Sequence, residues 1–167
     1  MDDFTYDLDA VTRITATAIG KPGQRVFYIQ ARRGSQLVTL TAEKEQVSAL
    51  GQHIEQFLDE LAETNPLLSS SDDTLLVSDM SLEEPIEPVF RIAQLGLGYD
   101  ADRDMVLLIV QGYGDEGETP TARFSATREQ MKAMSQHAQQ VVSKGRKICG
   151  NCMRPIDPTG HFCPRMN

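Results

Sequence analysis

Three cysteines and one histidine have the types and spacing to hold a metal ion: Cys149-Gly150-Asn151-Cys152, followed by His161-Phe162-Cys163. Zinc suits this set, because thiolate and imidazole are its preferred ligands and two pairs of this kind close a tetrahedron around one ion. Gly150 and Asn151 tolerate the positive φ that the knuckle between the first pair often needs. Pro155, Pro158 and Gly160 give the intervening excursion turn chemistry rather than helix or strand. The competing readings are three free thiols, or a disulfide between Cys149 and Cys152. Both explain less, because all three cysteines of the chain fall in this stretch. Four protein ligands fill the coordination shell and leave no position for a polarised water, so the site is read as structural zinc. If His161 were not a ligand, the three cysteines would form an open site.

Other candidate chemistry is weaker, and no residue is assigned a catalytic role. His53 and His137 stand at equivalent positions of an internal repeat, so a facing pair is conceivable as a proton-transfer or second metal site. The plainer reading is preferred: each lies beside the apolar stripe of its helix, and no acid or nucleophile accompanies it. Asp100-Ala-Asp102-Arg-Asp104 imitates half a calcium loop, but Met105 stands where glycine is required and Gln111 where a carboxylate is, so it is read as a polar turn. Gly96-Leu97-Gly98 does not open a helix and gives no dinucleotide fingerprint. Arg25, Arg32 and Arg33 form the one basic cluster of the body and are read as a solvated strand edge. An enzyme of hydrolase or phosphotransfer type remains the alternative, with its site in an inter-repeat cleft near Arg25, Gln30 and Gln111.

The elements that must position these residues come from a repeat at a constant offset. Ala42 to Leu58 matches Ala126 to Val142, with Glu45/Glu129, Gln46/Gln130, Ala49/Ala133, Gln52/Gln136 and His53/His137 identical. Both segments place apolar residues at helical spacing, and Thr41 and Ser125 or Thr127 offer hydroxyl caps. Upstream of each helix, alternation predicts strands over 14–19, 25–31 and 37–40 in the first copy, and 90–97, 105–112 and 122–124 in the second. The expected fold is therefore α+β: two consecutive βββα repeats forming an antiparallel sheet covered by two helices, plus a zinc knuckle. Residues 1–147 are the body, with repeat one at about 10–63, a linker at about 64–81 containing a further possible strand at 75–79, and repeat two at about 82–145. Residues 148–167 are the zinc-binding tail. Glu83 to Pro88 reads as an extended acidic segment.

The 167 residues carry a formal net charge of −8, which averages two opposed regions. Residues 144–167 hold Lys144, Arg146, Lys147, Arg154 and Arg165 against Asp157, so the body is strongly acidic. An acidic body disfavours nucleic acid, although the basic tail could touch phosphate or simply fold back on the acidic surface of the body. No apolar run approaches a membrane span and the amino terminus has no signal-peptide pattern, so a cytoplasmic location is expected, where cysteines favour metal over disulfide.

Several motifs are shared with one family. Gly20-Lys-Pro-Gly23-Gln24-Arg25 with Phe27-Tyr28, then Leu82-Glu-Glu-Pro85, then Cys149-x-x-Cys152-x-x-Pro155-Ile-Asp157-Pro158-x-Gly160-His161-x-Cys163-Pro164-Arg165-x-Asn167 resemble an actinobacterial family known as a domain of unknown function. The likeness spans almost the whole chain and implies no established activity. Together these readings point to a non-catalytic binding or adaptor module with one structural Zn2+. Its expected partner is another protein or a small phosphorylated ligand, with no membrane role.

Overall fold

Alternation along the strands sorts the side chains into two sets, and the computed structural model, which describes residues 4–21, 23–65, 80–114 and 118–143, shows where each set goes. The chain forms β1 (Tyr6–Leu8), β2 (Arg13–Ile19), β3 (Val26–Arg33), β4 (Gln36–Ala42), α1 (Lys44–Thr64), β5 (Pro88–Asp100), β6 (Met105–Gly112), β7 (Thr121–Ala126) and α2 (Arg128–Ser143). Ile14, Ala31 and Val38 align across β2, β3 and β4, as do Ala16, Ile29 and Leu40, and all six are buried. Val106, Leu108 and Val110 of β6 do the same against Ala126, Phe124 and Ala122 of β7. The period of two therefore puts one apolar row per strand into a shared core. Gly34, at φ +59°, makes the β3–β4 turn with a backbone conformation that costs a side-chain-bearing residue energy.

The sheet has seven strands in the order β1-β7-β6-β5-β4-β3-β2 and is mixed, which corrects the antiparallel expectation. Within each repeat the pairs are antiparallel, but β4 pairs β5 in parallel and β7 pairs β1 in parallel. The reason lies in the connection: α1 carries the chain from the end of β4 back to the start of β5, and a strand–helix–strand crossover yields parallel strands. Strand β1 lies upstream of the first expected repeat. The 75–79 strand and the zinc knuckle lie outside the described residues.

The two edges of this sheet are consecutive in the chain and are joined there. Val11 N–H donates to Ser125 O of β7 at 2.9 Å, and Thr12 N–H donates to Arg32 O of β3 at 2.8 Å. Residues 6–19 thus pair β7 with their first part and β3 with their second. The continuous strand β5 behaves alike, pairing β4 through Pro88, Phe90 and Arg91 and β6 through Ile92 to Asp100. The pairing pattern repeats after three strand positions, so the sheet is built from two equivalent units, with residues 6–19 linking its two ends.

Equivalent residues also meet where the helices touch. Ser135 Oγ donates to Gly51 O at 2.6 Å and Gln139 Nε2 donates to Glu55 Oε2 at 3.0 Å, each pair being related by the repeat offset. A Cβ on Gly51 would stand 2.9 Å from Gln139 Cγ and 3.3 Å from Ser135 O, so the missing side chain sets how closely the helices approach. Both helices start with a capping box. Glu43 with Gln46 caps α1, rather than Thr41, and Thr127 with Gln130 caps α2. The amides of these glutamines also lock each helix to the sheet: Gln46 Nε2 donates to Ile92 O at 3.0 Å and Gln130 Nε2 to Val11 O at 2.9 Å.

Candidate functional site

Each helix runs beside a strand of the sheet, and a groove lies along that junction in both repeats. The first, between α1 and β5, is a cavity of about 460 Å³ lined mainly by Ala49, Leu50, His53 and Phe57 of α1 and Leu95 and Leu97 of β5. The second, about 660 Å³, is lined by Thr17, Ala18 and Ile19 of β2 and His137 of α2, with Met80, Leu82 and Ile86 contributing from the segment before β5. Cavities of this size accommodate small ligands or a short peptide segment.

His53 and His137 therefore occupy equivalent grooves and do not face one another. His137 Nε2 is 3.0 Å from Thr17 Oγ1 and half-buried, whereas His53 is exposed on the wall of the α1–β5 groove. A facing pair is excluded by placement: the helices meet through Gly51, Ser135, Glu55 and Gln139, and the histidines lie on other faces.

Residues 80–86, between α1 and β5, form a strap along the second groove, held by buried polar groups. Gln30 is 1% exposed, and its amide donates to Thr39 Oγ1 and Glu83 O at 3.0 Å each while accepting from Glu83 N–H at 2.8 Å. Thr15 Oγ1 donates to Met80 O at 2.7 Å, and Arg32 and Arg13 pair with the Glu83 carboxylate. The acidic extended segment read from the sequence is thus laid on a basic and polar sheet face. In β5 and β6 the positions reached by counting the same steps from the hairpin end are Gly96 and Ile109, where the first repeat has Thr15 and Gln30. Gly96 is exposed, Ile109 half-exposed, and among the described residues no segment crosses them.

The remaining charged groups fasten the fold. At the seam between the ends of the sheet, Asp9 accepts from Arg103 at 2.5 and 2.8 Å and from Ser125 Oγ at 2.5 Å, while Arg33 donates to the Asp9 and Ala10 carbonyls. The Arg103 guanidinium, helped by the Ser125 hydroxyl, holds the Asp9 carboxyl well below the usual carboxylate range. Arg128, 6% exposed at the start of α2, donates to both oxygens of Asp104 at 2.9 and 3.0 Å and lowers that carboxyl likewise. Tyr99 O–H donates to the same carboxylate, whose negative charge pushes the phenol up. The Asp100–Asp104 turn is a turn, as expected, with Asp100 accepting from the Asp102 and Arg103 amides.

Arg25, Gln30 and Gln111, the residues expected to line a catalytic cleft, are not brought together. Arg25 donates to Val141 O at 2.6 Å, Gln30 is enclosed by the strap, and Gln111 is exposed on β6. Strands β3 and β6 are separated by two strands, which puts Gln30 and Gln111 on the order of 14 Å apart at ordinary sheet spacing. The arginine cluster read as a solvated edge instead ties loops: Arg32 to Glu83, Arg33 to the seam and Arg25 to the end of α2.

Cys149, Cys152, His161 and Cys163 lie outside the described residues, and among the described residues no group of three or more His, Cys, Asp or Glu side chains is placed to hold a metal. No helix among them is long and apolar enough to cross a membrane. The α1–β5 groove is a feature that sequence reasoning missed. Its signal is Gly96-Leu97-Gly98, whose glycines leave the strand bare beside the helix.

A seven-stranded mixed sheet and two equivalent helices define an α+β domain. Residues 6–163 match the family described as "Protein of unknown function (DUF3090)", and the chain belongs to that family. Comparison with curated proteins and with solved structures returned no match.

Proposed function

We propose that this protein is a non-catalytic binding module whose α1–β5 groove receives a basic polypeptide segment with apolar side chains. The observation that carries this reading is the asymmetry between equivalent junctions: one groove is crossed by a strap, while the described residues leave the other open and apolar. Helix α1 supplies Lys44 against Glu45, Glu55, Asp59, Glu60 and Glu63, so its field favours a cationic occupant over a phosphorylated one. Two amides of the groove are engaged with their own neighbours, Gln46 with Glu43 and Ile92 and Gln56 with Glu60, and His53 stands on its wall with no acid or nucleophile but Glu60 among the described lining residues, which suits a docking surface better than a reaction centre. The enzyme alternative loses its main support, since the three side chains on which it rests stand apart.

A structural Zn2+ held by Cys149, Cys152, His161 and Cys163 completes the proposal, on the chemistry and spacing of those ligands. Metal analysis of untagged protein is expected to return about one zinc per chain, and Cys163→Ser is expected to lose most of it; full zinc content in that variant would remove the assignment. For the groove, Ala49→Trp places an indole in the cavity without touching the core. Protein bound to the wild-type chain on purification from its source cells is expected to be absent from Ala49→Trp. Binding unchanged by that substitution would dismiss the groove as the site.

A further inference from the structure

Strand β5 outlasts its neighbour. Strand β4 pairs it in parallel only between Pro88 and Arg91, because the chain leaves the sheet after Ala42 and turns into α1 at Lys44. From Ile92 to Asp100, β5 pairs β6 on one side, and among the described residues no strand pairs it on the other. That bare edge faces α1: the Ile92 carbonyl accepts from Gln46 Nε2 at 3.0 Å, and Ala93, Leu95, Gly96 and Leu97 then line the α1–β5 groove. An edge strand directs the N–H and C=O of every second residue outward, ready for another chain. We infer that the groove takes its polypeptide as an extended strand added to this edge, with its main chain bonded to residues 93–99 and every second side chain turned in between α1 and Leu95 and Leu97. This mode of holding the occupant rests on the groove being the binding site proposed above.

The make-up of the edge suits a second backbone. Exposed edges are commonly blunted with lysine or proline. Beyond the register shift between Ile92 and Gln94, the edge reads Ala93-Gln94-Leu95-Gly96-Leu97-Gly98-Tyr99, with neither charge nor proline. Glycine inside a strand often marks a place where another backbone comes close, and a Cβ built on Gly96 would meet nothing within 4 Å. Gly98 accounts for the gap beside α1. Counting equal steps from the hairpin ends, it takes the place of Thr17, whose hydroxyl lies 3.0 Å from His137 Nε2 and ties α2 to β2. His53 has no such side chain to meet at Gly98 and is exposed. Strand addition draws affinity from main-chain bonds and specificity from alternate side chains. Residues 93–99 span about 23 Å, enough for three or four inward side chains, which the apolar floor selects. The outward row meets the acidic side of the groove, where Glu60 lines the wall and Glu55, Asp59 and Glu63 follow on the same helix, and this selects basic residues at the intervening positions.

The peptide acetyl-Lys-Val-Lys-Val-Lys-Val-Lys-amide, added to the full chain, tests this. In the chain alone, hydrogen exchange followed by NMR should find alternate amides of residues 93–99 slow, where they pair β6, and the intervening ones fast. Saturating peptide should slow the fast set by about tenfold or more, while its counterpart with glutamate for lysine should leave them unchanged. N-methylation of the peptide separates an added strand from any other bound form. Methyl groups on the set of amides that donates to β5, either the valines or the lysines, should weaken binding about tenfold for each bond lost, and methyl groups on the other set should leave it within about twofold. Residues 93–99 all slow in the chain alone, no slowing at about millimolar peptide, equal slowing by the glutamate peptide, or equal losses from the two methylated sets would overturn the inference. If it falls in this way while Ala49→Trp still loses a bound protein, the groove stands and only the mode of binding fails. Alternate slowing that persists undiminished in Ala49→Trp confirms the edge and removes the groove.

Discussion

The junction of α2 with β2 and the junction of α1 with β5 derive from one repeated unit, carry the same histidine and are entered by the same kind of capped helix, yet one is strapped and the other open. The difference is made by surface chemistry. In the strapped junction, Thr15, Gln30 and Thr39 put hydrogen-bonding groups on the sheet, and the chain beyond α1 supplies complementary backbone and a carboxylate. In the open junction the matching row is Gly96, Ile109 and Arg123, of which the first two offer no side-chain hydrogen bond and the third pairs with Asp7. A duplicated fold thus keeps its core rows, its helix–helix contact and its caps, where the two copies depend on each other, and diverges where each copy meets a segment outside the repeat.

The comparison predicts that the strap is held by a buried amide more than by ion pairs. Gln30→Leu keeps the volume but leaves the Glu83 N–H and C=O without partners, and is expected to cost about 2–3 kcal/mol in urea unfolding. Glu83→Ala removes the partner of Arg32 and Arg13 but leaves the Gln30 bonds to its backbone in place. Those pairs are partly exposed, so the expected loss is below about 1 kcal/mol. A larger loss from Glu83→Ala than from Gln30→Leu would reverse the account and make the strap an electrostatic device.

The asymmetry itself is hidden in the sequence, while most of the frame is not. Strands β2, β3, β4, β6 and β7 lie within about two residues of where alternation and turn residues put them, the usual margin for element ends. Their side-chain rows are local patterns that burial on one face enforces. Strand β1 escapes because Tyr6–Leu8 is too short to show a period and pairs with residues more than a hundred positions away. The parallel β4–β5 pair escapes for a related reason: the repeat reveals the units but not how they join, and the crossover through α1 decides it. The helix N-caps are half legible. Thr127 caps α2 as its hydroxyl suggests, but Glu43 displaces Thr41, because a glutamate with Gln46 at the third helical position serves the same orphan amides. As for the groove, Gly96-Leu97-Gly98 fails as a dinucleotide fingerprint; that it bares a strand beside a helix emerges only when α1 is placed against β5.

The smallest expected effect sharpens the comparison most directly, because it uses the residue shared by both junctions. His137 is half-buried with its Nε2 3.0 Å from Thr17 Oγ1, in a groove walled by Met80, Leu82 and Ile86. Its replacement by alanine leaves the Thr17 hydroxyl without that partner, and an expected loss of about 1 kcal/mol corresponds to an ordinary neutral hydrogen bond. His53 occupies the equivalent place on α1 but is exposed, so His53→Ala should stay within about 0.5 kcal/mol. Measured by urea unfolding, a His53→Ala loss approaching that of His137→Ala would mean that the two junctions hold their histidines alike, which would erase the asymmetry.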